Sequence, residues 1–530
     1  MNYNYLKQYT QFMMSLNSLI FCVLLCILGV AFCSCSKDTH DEGITSPPID
    51  NKSVSPQLTE MSFWADKNPF QLIEDQKCEI IGDSVVVCWV RHIIDNKRLV
   101  SHIAFNGDSV TIDGKIIESN VTQCDFSKPV ILKVFSGNER KEYTVYVHSF
   151  TGLPIVCIET ENRKEIVSRV DYIDATFRLE ENVVTRSAGD VIETECQIRG
   201  RGNSSWIHTQ KKSYRLMFPE KVSLFDEPKD KAWVLIGNPF DKTMLRSYLA
   251  YYIGSLSNLE YSPRFHFVDL IFNGAYWGTY MLGDKLKIAK HRVNVGDDGY
   301  LLEIDERAVG DNDIFFRTSH LSQPINIKDP DVEVGSEAYN YIKDFFTIAE
   351  STLFSKDFKD PENGWQKFMD MDSFVDWYII HEIAKNYDSL ALYTSCYLNL
   401  KRGGKLKMGP LWDFDVTFGN NTNPTMCNVD GFVSQSTWFY RLLEDPAFVK
   451  RVKERFTYFY NHCDDYLVFI NNTAEYLKYT VEENDKKWPT FYQKGFGNYD
   501  VWGNYQNEVF LLKKWLVERL DWLNNYYSNQ

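Results

Sequence analysis

The chain has 530 residues, of which 44% are hydrophobic and 15% aromatic, a composition typical of a globular protein with more than one core. Its formal net charge of −15 excludes nucleic acid as the main partner, because binding to a phosphate backbone requires a basic face. After the N-terminal segment, no stretch reaches the roughly 18 uncharged apolar residues that a membrane-spanning helix needs.

The N-terminal 35 residues are typical of an export signal. An apolar segment at 19–32 is followed by the sequence CSCS, after which the chain turns polar at once. Ser34 directly before Cys35 resembles a bacterial lipoprotein cleavage site, with Cys35 as the lipidated first residue. The acidic residues that follow resemble the surface-export signals of Bacteroidetes lipoproteins. This resemblance implies the outer membrane or cell surface of a Gram-negative bacterium, with the membrane reached through the lipid anchor only. A plain secretory signal or a retained anchor is the alternative.

The next two segments differ in composition. Residues 36–58 are rich in Ser, Pro and Asp without periodicity, and they predict a flexible linker. Between 59 and 150, short β-rich runs alternate with turns, which predicts a small all-β sandwich. The sequences CDFSKPV at 124–130 and YTVYV at 143–147 resemble parts of the immunoglobulin-like modules that precede catalytic domains in Bacteroidetes surface lipoproteins. By that resemblance the module is a spacer or a weak adhesion domain.

Eight cysteines follow Cys35, and none of them forms a Cys-x-x-Cys motif, so a zinc knuckle is not expected. Most have apolar or strand-like neighbours, where a free thiol behaves as a small hydrophobic group. One or two disulfides are compatible with an oxidising compartment, but the spacing assigns no pair.

Residues 151–530 mix strands and helices, so the chain as a whole is predicted to be α+β. The loop RGRGNSSW follows a strand-like run. Its backbone amides, hydroxyls and guanidinium groups suit a phosphate, which makes Arg199, Arg201, Asn203 and Ser204 candidate ligands. A hairpin turn without a ligand is the alternative.

A strand at 211–218 follows this loop, and its alternation places Lys212 and Arg215 on opposite faces. A lysine on a strand behind a glycine-rich loop is the arrangement of nucleotide-phosphate sites, and Arg215 adds a second cation. Two solvated lysines at 211 and 212 are the alternative.

Asp241 is predicted to cap a helix on which Arg246 lies off the apolar stripe, within reach of a phosphate or carboxylate.

Further along the chain, the sequence 265–282 turns at Asn-Gly and predicts a β-hairpin. A pair of acids, Glu303 and Asp305, is expected to face solvent or to be structural.

Asp372 or Ser373 is predicted to cap a helix that runs to about residue 385. Asp388, just beyond this helix, is well placed as a general base, with capping as the alternative.

The stretch 409–420, GPLWDFDVTFGN, carries two carboxylates one residue apart. An extended backbone would place Asp413 and Asp415 on the same side, where a cation between them offsets their repulsion. The alternative is a turn in which the two aspartates cap backbone amides.

The order of these motifs resembles the spore-coat protein H (CotH) kinase family, an atypical protein-kinase-like group. The resemblance covers residues 151–530 and implies an atypical protein-kinase-like domain behind the immunoglobulin-like sandwich. It is most specific at residues 199–205, 212–215, 241–246, 273–280 and 412–419.

The resemblance implies an ATP-dependent and Mg²⁺- or Mn²⁺-dependent kinase that acts on Ser or Thr of surface proteins. Lys212 would hold the ATP phosphates, and Asp388 would activate the acceptor hydroxyl. Asp413 would bind the metal, with Asp415 assisting. Ordinary kinases have an asparagine five residues after the catalytic aspartate, where this chain has Tyr393. A kinase-like surface protein that binds a glycan or protein without catalysis is therefore the second hypothesis.

Overall fold

The N-terminal part of the described chain consists mainly of β-strands. The computed structural model describes residues 55–69, 71–72, 75–91, 98–181, 191–433, 436–494 and 501–529; Cys35, the predicted signal and most of the predicted linker lie outside them. The strands described in this part are β1 (Gln57–Phe63), β2 (Gln76–Lys77), β3 (Glu79–Ile81), β4 (Val85–Arg91), β5 (Arg98–Asn106), β6 (Ser109–Ile112), β7 (Lys115–Ile116), β8 (Gln123–Asp125), β9 (Val130–Ser136) and β10 (Glu139–Phe150).

These strands form two sheets around one hydrophobic cluster. Their orders are β2-β1-β5-β8 and β3-β4-β10-β9-β6-β7. Strand alternation buries Val130, Leu132 and Val134 of β9, and Leu58 of β1 belongs to the same cluster. Strand β1 begins at Gln57 and pairs with β5 from its first residue, so the end of the predicted linker belongs to the first strand. The likeness to immunoglobulin modules stays a prediction.

A closed seven-stranded barrel follows. Its strands are β11 (Ile155–Thr160), β12 (Ile173–Glu180), β13 (Val191–Arg201), β14 (Ser213–Val222), β15 (Asp230–Ile236), β16 (Phe265–Phe272) and β17 (Ala275–Asp284). They close in the order β11-β12-β13-β14-β15-β17-β16, in which β11 and β16 are parallel and the other neighbours antiparallel. Alternate apolar residues, including Phe177, Ile198 and Leu216, form a single buried cluster inside the barrel.

The predicted hairpin at 265–282 is present as β16 and β17. Its two turn residues, Asn273 and Gly274, have φ angles of 50° and 78°. A two-residue turn with positive φ at both positions matches the right-handed twist of the flanking strands, which is why Asn-Gly predicts this hairpin well.

The rest of the chain combines a five-stranded sheet, in the order β19-β20-β18-β21-β22, with most of the helices. Its strands are β18 (Tyr300–Ile304), β19 (Phe315–Phe316), β20 (Ile325–Asp329), β21 (Cys396–Leu400) and β22 (Leu406–Met408). The helices of the described chain are α1 (Ser204–His208), α2 (Arg246–Ser255), α3 (Glu337–Leu353), α4 (Met371–Ala384), α5 (Tyr387–Leu390), α6 (Pro424–Cys427), α7 (Thr437–Leu442), α8 (Pro446–Asn461), α9 (Cys463–Lys487) and α10 (Tyr505–Ser528). None of these helices is both long and apolar enough to cross a bilayer. The described chain is α+β, as predicted.

Helix α4 lies at the centre of the largest hydrophobic cluster. Twelve of its fourteen residues are buried, so the whole circumference packs against other elements instead of one stripe. Its N-cap is Asp370, whose carboxylate accepts from the Ser373 amide, and the predicted caps Asp372 and Ser373 lie inside the helix. The helix ends at Ala384, because Lys385 is left-handed with φ 51°.

A buried ion pair fastens α10 to the end of α4. Arg519 and Glu382 are both almost fully buried, and a guanidinium nitrogen lies 3.0 Å from Glu382 Oε2. Arg519 also donates to the backbone carbonyls of Glu382, Val429 and Gly431 at 2.6 to 3.0 Å. These bonds satisfy the Glu382 carbonyl at the buried end of α4 and two carbonyls of the loop that packs against it.

Replacement of Arg519 by Met should lower the free energy of unfolding by about 3–5 kcal/mol, because the buried Glu382 carboxylate then lacks its counter-ion. Urea unfolding followed by tryptophan fluorescence measures this loss. The matched control is Lys514→Met in the same helix, where an exposed pair with Glu518 should contribute less than about 1 kcal/mol. Equal losses in the two variants would contradict the role given to the buried pair.

Candidate functional site

The stretch 409–420 does not continue as a strand. β22 ends at Met408, and Asp413 has a left-handed backbone with φ 64°. The prediction that Asp413 and Asp415 share one side of an extended backbone is therefore wrong, because a left-handed residue breaks the two-residue alternation. Asp413 is exposed and Asp415 is partly buried.

Two neighbouring side chains hold Asp413 in this conformation. The Ser395 hydroxyl donates to Asp413 Oδ2 at 2.9 Å, and the Asn386 amide donates to the Asp413 carbonyl at 3.1 Å. Ser395 and the buried Leu392 are also left-handed, with φ angles of 55° and 53°. Each such residue other than glycine costs about 1–2 kcal/mol, a strain that concentrates at functional sites.

Asp388 lies in the short helix α5, directly after the end of α4. Its pKa is raised to about 6, mainly by burial and next by the charge of Asp413, while Arg307 acts in the opposite direction. This response to Asp413 shows that the two carboxylates share one electrostatic environment. A carboxylate with a pKa near 6 is suited to accept a proton at neutral pH.

Asp415 and Asp413 together have the chemistry of a divalent-cation site. Burial and the carboxylates of Asp413 and Asp241 raise the pKa of Asp415 well above its usual value. A cation between such acids favours their ionised forms, and hard oxygen donors suit Mg²⁺ and Mn²⁺. No group of three His, Cys, Asp or Glu side chains in the described residues is arranged to hold a metal. One or two carboxylates nevertheless suffice for Mg²⁺ when phosphate oxygens complete its coordination, so these residues fit a cation bound together with phosphate.

Arg307 belongs to this acid region, although the sequence motifs did not identify it. Its Nε donates to Asp305 Oδ1 at 3.1 Å, and a terminal nitrogen donates to the Thr394 hydroxyl. Asp413 contributes to the raised pKa of Arg307, after Asp305. Arg307 comes shortly after β18, and the pairing of β18 with β21 brings it close to Thr394. No local sequence pattern reveals this pairing.

The acids Glu303 and Asp305 are both buried, so the expectation that they face solvent is wrong. Glu303 pairs with Lys328 Nζ at 3.2 Å, and Asp305 holds Arg307. Burial of a carboxylate requires such partners, and these two acids are structural.

Cationic side chains lie on the barrel face opposite the interior cluster, close to the acids. Arg199 and Arg215 are directly opposite each other on β13 and β14, and Arg201 follows on the same face. The Arg201 guanidinium lies 5.4 Å from the centre of the Trp412 ring, one residue before Asp413. The contact between Arg201 and Trp412 therefore brings the barrel cations next to the acid-bearing stretch.

Arg201, Arg215 and Lys285, which follows β17 and is close enough to Arg215 to respond to its charge, are called the cation group. None of the three side chains has a hydrogen-bonding or ion-pairing partner among the described residues, and Arg215 Nε is also buried. Burial, with Arg199 and Arg201 as neighbours, lowers the pKa of Arg215. Burial and Arg215 lower the pKa of Lys285 to about 7. Adjacent, partly buried and unpaired cations are unfavourable unless an anion binds them.

The structure separates Lys212 from the cation group. Lys212 Nζ donates to the Trp206 carbonyl and lies 5.2 Å from the centre of the Trp206 ring. The predicted strand begins later than expected, at Ser213, so both lysines precede it. Lys211 is buried and donates to Asn484 Oδ1 of α9 at 2.7 Å. The lysine that joins the arginines is Lys285, which directly follows β17.

The other candidate ligands in the loop RGRGNSSW make contacts within the protein, which stabilise the loop. Arg199 donates to the Val170 carbonyl at 3.2 Å, and the Asn203 side chain accepts from Arg169. Ser204 begins the short helix α1.

Arg246 is occupied by protein groups. Its guanidinium pairs with Asp241 Oδ1 at 2.6 Å, and its Nε donates to the Thr417 carbonyl at 3.0 Å. The predicted N-cap at Asp241 is wrong: Met244 is left-handed with φ 59°, and α2 begins only at Arg246. Asp241 instead accepts from the backbone amides of Thr243 and Arg246. Arg246 therefore supports the acid-bearing stretch from behind and is not available to a phosphate.

Comparison with known proteins gives one extensive match. The family model described as CotH kinase protein matches residues 198–523, more than half of the chain. No curated protein matches the chain at a significant level.

Two solved structures show partial likeness. One is described as a proposed glycoside hydrolase from Bacteroides thetaiotaomicron, with 14% identity, a TM-score of 0.16 and coverage of 33% of this chain and 54% of that chain. The other is a DUF4623 family protein from Bacteroides eggerthii, with 10% identity, a TM-score of 0.14 and coverage of 34% and 47%. The chain spans about half the length of these structures, and scores of this size assign no fold.

Tripolyphosphate should raise the melting temperature of the protein, and Arg215→Met should remove most of this shift. The same substitution should stabilise the ligand-free protein by about 0.5–1 kcal/mol, because it removes one of several adjacent like charges. Thermal unfolding at low salt, with and without tripolyphosphate, measures both effects. Lys221→Met, on the exposed end of the same strand, is the control and should keep the full shift. An unchanged shift in Arg215→Met would contradict an anion site at the cation group.

Proposed function

The chain belongs to the CotH kinase protein family, and on this premise we propose that its site transfers the γ-phosphoryl group of ATP to serine or threonine hydroxyls of surface proteins. The observation that carries the proposal is the unpaired cation group, whose Arg201 contacts Trp412 directly before Asp413, together with Asp388, whose pKa responds to the charge of Asp413. Phosphoryl transfer depends on positioning and on neutralising the charge of the phosphates, and this arrangement supplies both.

The cation group would bind the ATP phosphates. Arg201 and Arg215 offer planar guanidinium groups, which bind phosphate oxygens in pairs. The pKa of Lys285, now about 7, would rise on binding because nearby negative charge favours the ammonium form. Lys285 thus takes the role that the family resemblance implied for Lys212.

Asp413 and Asp415 would hold the divalent cation. Asp413 presents its carboxylate to solvent, and Asp415 lies behind it with a raised pKa that a cation would lower. When bound, Mg²⁺ or Mn²⁺ neutralises negative charge on the phosphates.

Asp388 would act as the proton acceptor. During transfer, the bond between the γ-phosphorus and its bridging oxygen breaks and a new bond forms to the acceptor hydroxyl oxygen. The hydroxyl proton passes to Asp388, and ADP leaves. With a pKa of about 6, Asp388 is mostly ionised at neutral pH, and Arg307 helps to keep it so.

A kinase-like binding protein without transfer activity is the second candidate. Tyr393 occupies the position at which ordinary kinases have a metal-binding asparagine. Asn399 and Asn420, the nearby alternatives, donate their amides to the carbonyls of Gly409 and Asp415. In this candidate the site would bind a glycan or a protein at the cell surface.

Export is part of the proposal. The chain would be an outer-membrane or cell-surface lipoprotein anchored through Cys35, with the site facing surface proteins. The support is the order of apolar segment, Ser34 and Cys35 in the sequence.

Incubation of the purified chain with γ-labelled ATP and Mg²⁺ or Mn²⁺ should transfer label to protein hydroxyls. Asp388→Asn and Asp413→Asn should each reduce the transfer rate at least about 100-fold, because they remove the proton acceptor and a metal ligand. The exposed Asp357→Asn is the control and should be unchanged. Transfer that survives Asp413→Asn would overturn the site assignment, whereas nucleotide binding without transfer would favour the second candidate.

The pH dependence of kcat/KM should rise through about pH 6, because only ionised Asp388 accepts the proton. Arg307→Met should move this rise to higher pH, because Arg307 lowers the pKa of Asp388. Arg307→Lys keeps the charge and should leave the profile close to that of the unmodified chain. A profile that is the same in all three proteins would contradict the assignment of Asp388 as the base.

A further inference from the structure

We propose that Cys78 and Cys88 form a disulfide bond in the N-terminal β unit. This modification is independent of the proposed transfer site. It rests on strand register, on contact between the two thiols and on the place of Cys78 between the two sheets.

The strand register sets the two cysteines opposite each other. β3 and β4 pair antiparallel with Glu79 opposite Val87. Cys78 directly precedes β3, so continuation of the pairing places it opposite Cys88. Directly opposed residues of antiparallel strands have Cα separations of about 4.5 or 5.5 Å. Disulfides span Cα separations of about 4.4–6.8 Å, so the bond fits this backbone.

The two thiols are already in contact within the core. Cys78 is 6% exposed and Cys88 is 1% exposed, and both belong to the hydrophobic cluster shared by the two sheets. Burial, followed by a hydrogen bond with Cys88, raises the pKa of Cys78 well above its usual value. A buried thiol with a raised pKa reacts slowly, so the bond would form before the core closes and would then be shielded from reductants.

The other described cysteines are not placed in this way. No other two of them face each other across paired strands. Cys124 lies opposite Leu99, and Cys196 lies opposite Ala175. The strand register therefore identifies Cys78 and Cys88 as a pair, whereas the spacing of the cysteines in the sequence identified none.

The bond would join the two sheets where the chain passes from one to the other. β2 belongs to the first sheet and β3 to the second, and Cys78 is the single residue between them. Its amide donates to the Met61 carbonyl of β1 at 2.9 Å, while its side chain meets Cys88 of β4. A covalent link here would fix the crossing point and restrict the unfolded chain.

The chemistry requires an oxidant of the small-molecule disulfide class, such as oxidised glutathione. The thiols of Cys78 and Cys88 lose two protons and two electrons, and one sulfur–sulfur bond forms between them. The oxidant's own disulfide accepts both electrons and both protons and leaves as two thiols, so the exchange is balanced.

Peptide mass spectrometry tests the bond directly. The full chain is refolded in a buffer of reduced and oxidised glutathione, and free thiols are then blocked with N-ethylmaleimide in denaturant. The peptides that contain Cys78 and Cys88 should be joined, with a mass two hydrogens below their sum, and should take up the blocking group only after reduction. Blocking of both cysteines before reduction would overturn the proposal.

Thermal unfolding with and without dithiothreitol gives a second, independent readout. The reductant should lower the melting temperature of the oxidised protein and of Cys124→Ser, a variant outside the pair. It should leave the melting temperature of Cys88→Ala unchanged, because this variant cannot form the bond. An equal decrease in all three proteins would show that another disulfide is responsible and would contradict the assignment.

Discussion

The buried ion pair between Arg519 and Glu382 is the constraint on which the acid side of the site depends. It holds the C-terminal end of α4, which the segment with Asp388 directly follows and which the stretch 409–420 contacts. The Phe418 amide donates to the Ala384 carbonyl at 2.8 Å, and Asn386, two residues further on, donates to the stretch that carries Asp413 and Asp415. A fully buried charge requires a counter-ion, so Glu382 at the end of α4 depends on Arg519 of α10. Helix α10 therefore contributes to the geometry of the acid-bearing segments through this pair.

The two charged halves of the site are each unfavourable without the other or a ligand. Burial and Arg215 lower the pKa of Lys285, and burial with Arg199 and Arg201 lowers that of Arg215, while Asp413 raises the pKa of Asp388 and of Asp415. Under the proposed function, a polyphosphate bound with a divalent cation would bring both missing charges at once: its oxygens would neutralise the cations, and the metal would neutralise the acids. Clusters of like charge lower the stability of the fold, so a bound ligand explains the cation group and the acid cluster better than a role in folding does.

Sequence patterns predicted what short-range geometry decides. The hairpin at 265–282 follows from its turn chemistry, and the family predicted from the order of the motifs is confirmed by the family model. The position of Lys285 next to Arg215 was not predictable, because alternation assigns a residue to one face of its strand and does not say which faces a closed barrel brings together. The burial of Arg246 likewise depends on a carbonyl 171 residues away, which no local pattern contains.

The barrel and the helical part contribute opposite charges, so the position of one relative to the other decides what the site can do. Contacts such as that of Lys211 with Asn484 join the two parts away from the site, and two further contacts lie at the site itself. The Arg201 guanidinium lies over Trp412 on the open side, and Arg246 holds the Thr417 carbonyl on the buried side. Arg246 has an anionic partner and is fixed, whereas Arg201 has only an aromatic ring, which a phosphate can replace at little cost. The buried contact therefore holds the acid-bearing stretch against α2, and under the proposed function the open contact would leave one cation able to turn from the ring to a bound phosphate.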